Sequence, residues 1–257
     1  MRPAVLVTGA ARRLGRHLAL YLARQGHDVA VHHRQSGEAD ALSLAAELAQ
    51  LGARAVLLPA DLCDEAAVEA LVPAAVAQLG RLDAVVNSAS LFSEDRIETF
   101  RADTLARHLG PNTAAPLLLA RALHRHCEAA GHAGCVVNVL DQKLWNPNPD
   151  HLSYTLSKAA LQAATPLLAM ALAPRVRVCA VALGLTLPSG PMSEAEFEAA
   201  HRLTPLGRAS TPDDFAAAVA YLLGAPGVTG STLLVDGGQH LAAQPRDVYY
   251  LVKKEGA

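Results

Sequence analysis

The chain has 257 residues, of which 51% are hydrophobic and 18% are charged, and its formal net charge at pH 7 is −2. This apolar content is enough to bury a large core and excludes global disorder. A charge so close to zero gives no basic surface for a nucleic-acid backbone, so nucleic-acid binding is not expected. No apolar run is long enough to cross a bilayer and the N-terminus has no secretory pattern, so we expect a cytoplasmic protein without a membrane partner.

The cysteines are scattered, without a Cys-x-x-Cys pair or a histidine at metal-ligand spacing. We therefore expect reduced and mostly packed thiols and no metal site. The cysteines are Cys63, Cys127, Cys135 and Cys179.

Short apolar runs alternate along the chain with longer helical patterns, which is typical of βαβ units around a parallel sheet. Right-handed crossovers place helices on both faces, so the sequence predicts an α/β fold with one doubly wound, Rossmann-type sheet of about seven strands. No internal repeat or flexible linker divides residues 1–241, which are expected to form a single domain. In chain order, the predicted elements are strand 4–8, helix 14–25, strand 28–33, helix 38–51, strand 53–59, helix 65–79, strand 83–87, helix 102–130, strand 135–140, helix 152–173, strand 176–182, helix 212–223 and strand 232–235.

Two stretches lie outside this alternation. Residues 185–205, with Pro188, Gly190 and Pro191 before a short helical pattern, are predicted to form a lid above the sheet, where ligands bind in such folds. The tail, residues 242–257, contains the apolar run 249–252. This run predicts either docking on another subunit or a frayed terminus, and the sequence leaves both open.

The first predicted strand ends at Thr8, and the segment from Gly9 to Gly15 leads into a helix. Glycines let the backbone approach a pyrophosphate, and the N–H groups that begin a helix attract an anion. Tight packing alone also explains two glycines at such a turn, so this segment taken alone is a weak indication of a nucleotide site.

Tyr154 and Lys158 are four residues apart on one predicted helix and therefore share a face. A nearby ammonium group favours phenolate and lowers a phenol pKa that begins at about 10, so Tyr154 becomes a usable general acid. A solvated helix face is the alternative for this pair taken alone.

Polar residues follow two neighbouring strands where these strands end. Asp141 comes directly after strand 135–140, and the run Asn87-Ser88-Ala89-Ser90 ends strand 83–87, so both lie at the edge of the sheet where ligands bind. Asn112 lies in a predicted helix interior, which tolerates asparagine poorly; its alternatives are a site role and an ordinary surface position.

These motifs together resemble the short-chain dehydrogenase/reductase family over essentially the whole chain. The last strand and turn of that family are matched by Val235-Asp236-Gly237-Gly238. The family's Thr-Gly-x-x-x-Gly-x-Gly, Asn-x-Ala-Gly and Tyr-x-x-x-Lys motifs are matched by Thr8, Gly9, Gly15, Asn87, Ala89, Ser90, Tyr154 and Lys158.

Three departures from the general family pattern resemble the branch of pteridine reductases and bacterial dihydromonapterin (dihydrofolate) reductases. Arg13 replaces the middle glycine of the first turn, Asp141 replaces the usual serine, and Phe92 follows the Asn-Ala-Ser segment. The run 33–39 also resembles this branch. The resemblance implies that Phe92 stacks on a flat pterin, that Arg13 bridges the pyrophosphate and the pterin edge, and that Asp141 bonds ring nitrogens. A core or lid position is the alternative for Phe92.

The exit of the second strand bears on the choice of cofactor. In this architecture, NAD-binding sites have an aspartate or glutamate at the end of the second strand. Here the strand is followed by no acidic residue before Glu38, and its exit contains His33, Arg34 and Ser36. A cation and a hydroxyl suit a 2′-phosphate, so NADPH is the expected cofactor. The resemblance implies that Asp61 bonds the adenine; a helix N-cap is its alternative.

The resemblance implies a catalytic set of Tyr154, Lys158, Asp141 and Asn112, with Asn112 holding the lysine through water. It also implies a homotetramer or homodimer. Substrate contacts are implied for Arg13, Ser90, Phe92, Asp141 and Tyr154. Nucleotide contacts are implied for Gly9, Arg12, Arg13, Leu14, Gly15, His33, Arg34, Ser36, Asp61, Leu62, Asn87, Ser88, Ala89, Tyr154, Lys158, Gly184 and Thr186.

Two features depart from the family pattern. Leu183-Gly184 replaces the usual Pro-Gly after the sixth strand, and Pro166 interrupts the helix that carries Tyr154. A kink at Pro166 is expected to spare the catalytic turn and to alter a subunit contact.

The expected activity is an NADPH-dependent hydride transfer to a C=N bond of a dihydropterin- or dihydrofolate-type ring. One alternative is a carbonyl reductase acting on a 3-oxoacyl thioester or a sugar-like ketone. Another is a non-catalytic NADP(H)-binding subunit or sensor, which would not need Tyr154 and Lys158.

Overall fold

The computed structural model describes residues 2–188, 192–208 and 210–252. One parallel sheet of seven strands has the order β3-β2-β1-β4-β5-β6-β7, which confirms the predicted doubly wound fold. The strands are β1 Ala4–Val7, β2 Asp28–His33, β3 Ala55–Pro59, β4 Ala84–Asn87, β5 Gly134–Asp141, β6 Val176–Leu183 and β7 Thr232–Val235. The helices are α1 Arg13–Arg24, α2 Glu38–Gln50, α3 Glu65–Leu79, α4 Ala102–Leu109, α5 Ala115–Ala130, α6 Leu152–Leu172, α7 Glu194–Arg202, α8 Pro212–Gly224 and α9 Val248–Val252.

Each face of the sheet has its own core, because successive side chains of a strand point to opposite faces. On β1, Val5 and Val7 pack among residues of α1, α2 and α8, whereas Ala4 and Leu6 pack among residues of α3 and α5. Strands buried on both faces are apolar throughout, which is why they appear in the sequence as continuous apolar runs.

The order of the strands reverses beside β1, which pairs with β2 on one side and with β4 on the other. In open α/β sheets a crevice forms at this reversal, outside the carboxyl ends of the strands. The segments after β1, β4 and β5 therefore surround one site.

Residues 102–130 are helical throughout, as predicted, but they do not form one regular α-helix. A π-helical turn at Gly110–Ala114 separates α4 from α5. Pro111 lies at the start of this turn and has no N–H to donate, so the regular ladder is broken there. The turn places Asn112 in a buried position, and π-turns are frequent at functional sites.

Pro166 does not end the helix that carries Tyr154, since α6 continues through it to Leu172. The neighbouring Thr165 hydroxyl donates to the carbonyl of Leu161 over 2.9 Å, which provides a partner for one backbone oxygen in this part of the helix. The expected effect of Pro166 on a subunit contact stays a prediction.

Residues 242–252 of the tail dock on their own chain. This outcome differs from both alternatives that the sequence left open, namely docking on another subunit and a frayed terminus. Asn146 Nδ2 donates to the Ala242 carbonyl over 2.9 Å, and Asp150 Oδ2 accepts the backbone N–H of Asp247 over 2.8 Å. The expectation of a frayed terminus is therefore wrong for residues 242–252, because backbone and side-chain bonds hold them. Residues 253–257 lie outside the described residues.

The predicted lid is described at residues 185–188 and 192–205, whereas Gly190 and Pro191 lie outside the described residues. Its short helical pattern corresponds to α7, which begins with a capping box between Ser193 and Glu196 and packs against α9. Within the described parts of the chain, no helix combines the length and apolar character needed to cross a membrane.

Candidate active site

Two acidic side chains meet at the carboxyl edge of the sheet. Tyr154 lies in the first turn of α6 with 7% of its surface exposed, and its hydroxyl donates to Asp141 Oδ2 over 2.9 Å. Asp141 is the last residue of β5, and its Oδ1 accepts the backbone N–H of Lys143 over 2.9 Å. The second bond orients the carboxyl group toward the phenol.

Burial dominates the protonation of this pair. It raises the pKa of Asp141, and burial together with the neighbouring carboxyl group raises the pKa of Tyr154 well above its ordinary value. The Asp141 carboxyl group disfavours ionisation of the neighbouring phenol, so Tyr154 retains its proton. The pair can therefore supply a proton to a bound substrate.

The expected lowering of the pKa of Tyr154 by Lys158 is wrong for this structure. Lys158 Nζ lies 5.9 Å from the centroid of the Tyr154 ring and donates to the Val139 carbonyl over 2.8 Å, whereas the Asp141 carboxyl contacts the phenol directly. Burial lowers the pKa of Lys158 to about 8. Its ammonium group is thus close to losing its charge near neutral pH.

Asn112 connects the loop after β4 with α6. Its Oδ1 accepts the Leu91 N–H over 2.7 Å, and its Nδ2 donates to Ser157 Oγ over 2.9 Å. Ser157 in turn donates to the Tyr154 carbonyl over 2.7 Å. Asn112 therefore holds the turn that carries Tyr154, while its water-mediated contact with Lys158 stays a prediction.

A buried amide pair lies beneath this edge, and only one of its two asparagines, Asn87, was predicted from the sequence. Asn87 Nδ2 donates to Asn138 Oδ1 over 2.8 Å, and Asn138 Nδ2 donates to Thr165 Oγ1 over 3.0 Å. The signal for Asn138 was present, because it is an asparagine inside a strand that is otherwise apolar. Asn87 Oδ1 is buried without a hydrogen-bond partner among the described residues, and such an acceptor is typical of a ligand-binding position.

The glycine turn after β1 is shaped to accept a ligand. Gly9 has φ +65°, and a Cβ on Gly15 would lie 2.3 Å from the Gly9 carbonyl oxygen. At the start of α1, no described side chain caps the helix and the first turn contains no acid. Its first N–H groups are therefore suited to a phosphate.

Arg13 occupies the position of the middle glycine in the family pattern. It adopts φ +52°, the left-handed region that favours glycine. Its Nη2 donates to the Pro188 carbonyl over 2.8 Å, so the side chain connects the glycine turn with the segment after β6.

His32 is a second residue of the site that was not predicted from the sequence. Its Nδ1 accepts the Gly9 N–H over 3.0 Å, and its Nε2 bonds the Ala60 carbonyl over 3.2 Å. Burial lowers the pKa of His32 to about 4, so the ring is neutral and keeps Nδ1 as an acceptor. His32 therefore holds the glycine turn against the end of β3.

The exit of β2 is basic and accessible. His33 is buried, whereas Arg34 and Ser36 are exposed. Arg12 forms an ion pair with Asp40 and donates to the Ser36 carbonyl over 3.4 Å. The exposed Arg34 guanidinium and Ser36 hydroxyl can receive a phosphate there.

The N-cap alternative for Asp61 is wrong. The side chain of Asp64 caps α3, whereas Asp61 Oδ1 accepts the Cys63 N–H over 2.9 Å, a bond that lowers the pKa of Asp61. Asp61 and the buried Leu62 follow β3 beside the exit of β2. An adenine contact for Asp61 remains a proposal.

The segment after β6 packs closely despite the Leu183-Gly184 sequence. A Cβ on Gly184 would lie 2.9 Å from Asp236 Cα, so the position requires glycine. Thr186 Oγ1 donates to the Gly184 carbonyl over 3.0 Å. The entry to the lid is thus held by the turn after β7.

Phe92 lies beside the candidate acid. It is 48% exposed, which excludes the core alternative, and its ring contacts that of Tyr154 edge to face with centroids 4.7 Å apart. Its ring also stacks on His151 at 4.3 Å. Ser90 Oγ lies on the same loop, 3.3 Å from Asn112 Oδ1.

Comparison with known proteins identifies the architecture. A family model described as Enoyl-(Acyl carrier protein) reductase matches residues 9–240. L-rhamnose 1-dehydrogenase (NAD(P)(+)) from Azotobacter vinelandii is 34% identical over 243 residues, 91% of this chain and 95% of that protein. The chain belongs to the short-chain dehydrogenase/reductase family. As a member of this family it is an NAD(P)-dependent oxidoreductase.

The names of other relatives within the short-chain dehydrogenase/reductase family refer to different substrates. Pteridine reductase 1 from Leishmania tarentolae is 31% identical over 284 residues, with coverage of 93% of this chain and 96% of that protein. A crystal structure of FolM Alternative dihydrofolate reductase 1 from Brucella suis in complex with NADP is 39% identical, with a TM-score of 0.89 and coverage of 94% and 96%. Because these names include a sugar, a pteridine and a dihydrofolate, family membership alone leaves the substrate open.

A methyl group in the glycine turn should weaken nucleotide binding. We expect Gly15→Ala to raise the Kd for NADPH at least about tenfold, because the added Cβ must displace the backbone of Gly9 from the phosphate position. NADPH fluorescence measures this Kd. Gly224→Ala, whose Cβ would meet no atom within 4 Å, is the matched control and should bind normally. Normal binding by Gly15→Ala would contradict a phosphate site at this turn.

The charge of Lys158 should appear in the pH profile of the free enzyme. Since its folded pKa is about 8, below the ordinary 10.5, the ammonium group is present at lower pH and is lost as pH rises through 8. We expect kcat/KM to fall as pH rises through 8, because the ammonium group that stabilises the negative charge formed on Tyr154 during proton donation is then lost. Lys158→Met should have low activity that does not fall further as pH rises through 8. If kcat/KM of this variant still fell in that pH range, another group would be responsible for the titration.

Proposed function

We propose that this enzyme is an NADPH-dependent reductase that transfers a hydride to a C=N bond of a dihydropterin- or dihydrofolate-type ring. The observation that carries the proposal is the contact of Phe92 with Tyr154, whose hydroxyl bonds a carboxyl group. An exposed aromatic ring suits a flat heterocycle, and a carboxyl group suits ring nitrogens. The similarity to a pteridine reductase and to a dihydrofolate reductase supports the same substrate class.

In the proposed reaction, a hydride adds to carbon and a proton adds to nitrogen, so that C=N becomes CH–NH. NADPH, when bound, supplies the hydride. Tyr154 donates the proton, and Asp141 returns a proton to the phenolate through their 2.9 Å hydrogen bond. Burial raises the pKa of Asp141 and thereby favours the protonated form that this transfer requires. Asn112 holds the helix turn that carries Tyr154. Lys158 supplies a positive charge near the phenol.

Residues around the glycine turn and the exit of β2 would hold the nucleotide. The turn at Gly9 and Gly15 gives the pyrophosphate access to the start of α1, and Asn87 Oδ1 provides a buried acceptor. Arg34 and Ser36 would hold the 2′-phosphate, which makes NADPH the preferred cofactor. Further proposed contacts are Arg12, Arg13, Leu14, His33, Asp61, Leu62, Ser88, Ala89, Gly184 and Thr186.

The short-chain carbonyl reductases provide the second candidate function, favoured by the similarity to L-rhamnose 1-dehydrogenase. Asp141 argues against it, because a carboxyl group at the position of the usual serine can pair with ring nitrogens, which a simple carbonyl substrate does not have. A non-catalytic NADP(H)-binding module is the third. The 2.9 Å bond between Tyr154 and Asp141 is a proton-transfer geometry that nucleotide binding alone does not require.

The cofactor preference depends on the exit of β2. We expect NADPH to be preferred over NADH by at least about tenfold in kcat/KM, equivalent to about 1.4 kcal/mol. Arg34→Asp should narrow or invert the preference, because a carboxylate repels a 2′-phosphate. Arg24→Asp, an exposed change at the far end of α1, is the charge-matched control and should leave the preference intact. Equal use of both cofactors by the natural enzyme would refute the assignment.

Substrate class is tested by a panel of dihydrobiopterin, dihydrofolate, a 3-oxoacyl thioester and simple ketones. Phe92→Ala should raise KM for the pterin by about 2- to 10-fold through lost stacking of about 0.5–1.5 kcal/mol. Asp141→Ser should lower pterin turnover more than any carbonyl turnover, since serine is a weaker partner for ring nitrogens. Brisk ketone reduction by the natural enzyme, with no turnover of any pterin or folate, would refute the pteridine assignment.

A further inference from the structure

The C-terminal segment, residues 242–252, lies against the residues that directly precede α6 and against the loop that carries Phe92. Two separate sets of side chains connect it to this site. One is a column of stacked rings, and the other is an ion pair between the buried Lys143 and Asp247, beside Asp141.

The column contains three rings and ends at the candidate substrate position. Tyr250 stacks on His151 with centroids 6.3 Å apart, and His151 stacks on Phe92 at 4.3 Å, with an interplanar angle of 29° in both pairs. Phe92 then meets the edge of Tyr154 at 4.7 Å. His151 therefore lies between the C-terminal segment and the ring that faces the substrate.

His151 is held firmly in this position. It is buried, adopts φ +55° just before α6, and its Nδ1 donates to the Ser93 carbonyl over 3.2 Å. This bond connects His151 to the loop that carries Phe92. A displacement of His151 would therefore remove the ring that packs behind Phe92.

Two guanidinium groups hold Tyr250 against His151. The Cζ atoms of Arg246 and Arg96 lie 4.5 Å and 5.1 Å from the centroid of its ring. Arg246 Nε also donates to Asp150 Oδ2 over 2.9 Å, and Asp150 is the buried neighbour of His151 in the chain. Cation–π contacts thus hold the ring, and a charge-assisted hydrogen bond holds Arg246 in place above it.

The ion pair provides a second, independent anchor. Asp247 Oδ2 lies 3.2 Å from Lys143 Nζ, and Lys143 is buried. The backbone N–H of Lys143 donates to Asp141 Oδ1. A buried ammonium group that lost this partner would be costly, so the segment stays docked beside the candidate acid.

We propose that Tyr250 is a positioning residue that acts on the substrate ring through His151 and Phe92. Phe92 is half exposed on a loop. Without another ring packed behind it, its side chain would be mobile in the free enzyme and would lose that conformational freedom when the substrate binds. The Tyr250–His151 stack removes that freedom in advance. The inference rests on the proposed function in one respect, namely that Phe92 contacts the substrate ring.

Kinetics of single variants give the first test. Tyr250→Ala should raise KM for dihydrobiopterin by about 2- to 10-fold, with kcat within about twofold and with the Kd for NADPH unchanged. Tyr250→Phe retains the ring and should restore a normal KM. Tyr221→Ala removes an exposed tyrosine from α8 and is the matched control. An unchanged KM in Tyr250→Ala would overturn the proposal.

A double-mutant cycle then separates action through Phe92 from a general effect. If Tyr250 acts through Phe92, Tyr250→Ala should raise KM by less than about twofold when Phe92 is already alanine. Effects that multiply would overturn the proposal, because two independent contacts would then explain them. Thermal unfolding of every variant checks that the fold is retained.

A crystal structure of Tyr250→Ala provides a result that does not depend on pterin turnover. We expect the rings of Phe92 and His151 to adopt other rotamers or to lose their order. Unchanged rings would overturn the inference even if the natural enzyme reduces pterins. Absence of pterin turnover in the natural enzyme, together with displaced rings in the variant, would refute the proposed function and leave the positioning of Phe92 standing.

Discussion

The hydrogen bond between Tyr154 and Asp141 joins two acids that burial prevents from ionising freely. Both residues occupy the ends of rigid elements: Asp141 closes β5, and Tyr154 lies in the first turn of α6. Their separation is therefore determined by the packing of α6 against the sheet rather than by a mobile loop. Precise placement of this kind is what proton transfer requires.

The start of α6 depends on the loop that carries Phe92. Asp95 Oδ1 accepts the Ser153 N–H over 2.9 Å, and the Asp95 carbonyl accepts the Leu152 N–H over 3.2 Å. These bonds satisfy N–H groups that have no partner within the helix. Because one loop both caps the helix and presents Phe92, the acid and the stacking ring keep a constant relation. The C-terminal segment packs on this unit from the other side of His151.

Most of the fold could be predicted from hydrophobic periodicity, because strands buried on both faces and amphipathic helices leave distinct patterns. The π-helical turn at Gly110–Ala114 was not predicted, because it preserves helical spacing on both of its sides. His32, Asp95 and Asn138 were missed as members of the site. Each acts through a contact with a residue distant in the chain, and such contacts leave no local pattern.

The sequence by itself determined the family resemblance, the glycine turn and the shared face of Tyr154 and Lys158, since these follow from spacing within single elements. Only the tertiary structure decided that Asp141, rather than Lys158, contacts the phenol, because the lysine donates to the Val139 carbonyl instead. It also decided that the tail returns to its own chain and stacks Tyr250 on His151. Both outcomes depend on the closure of distant segments around a common edge, and burial there sets the pKa values that no local motif records.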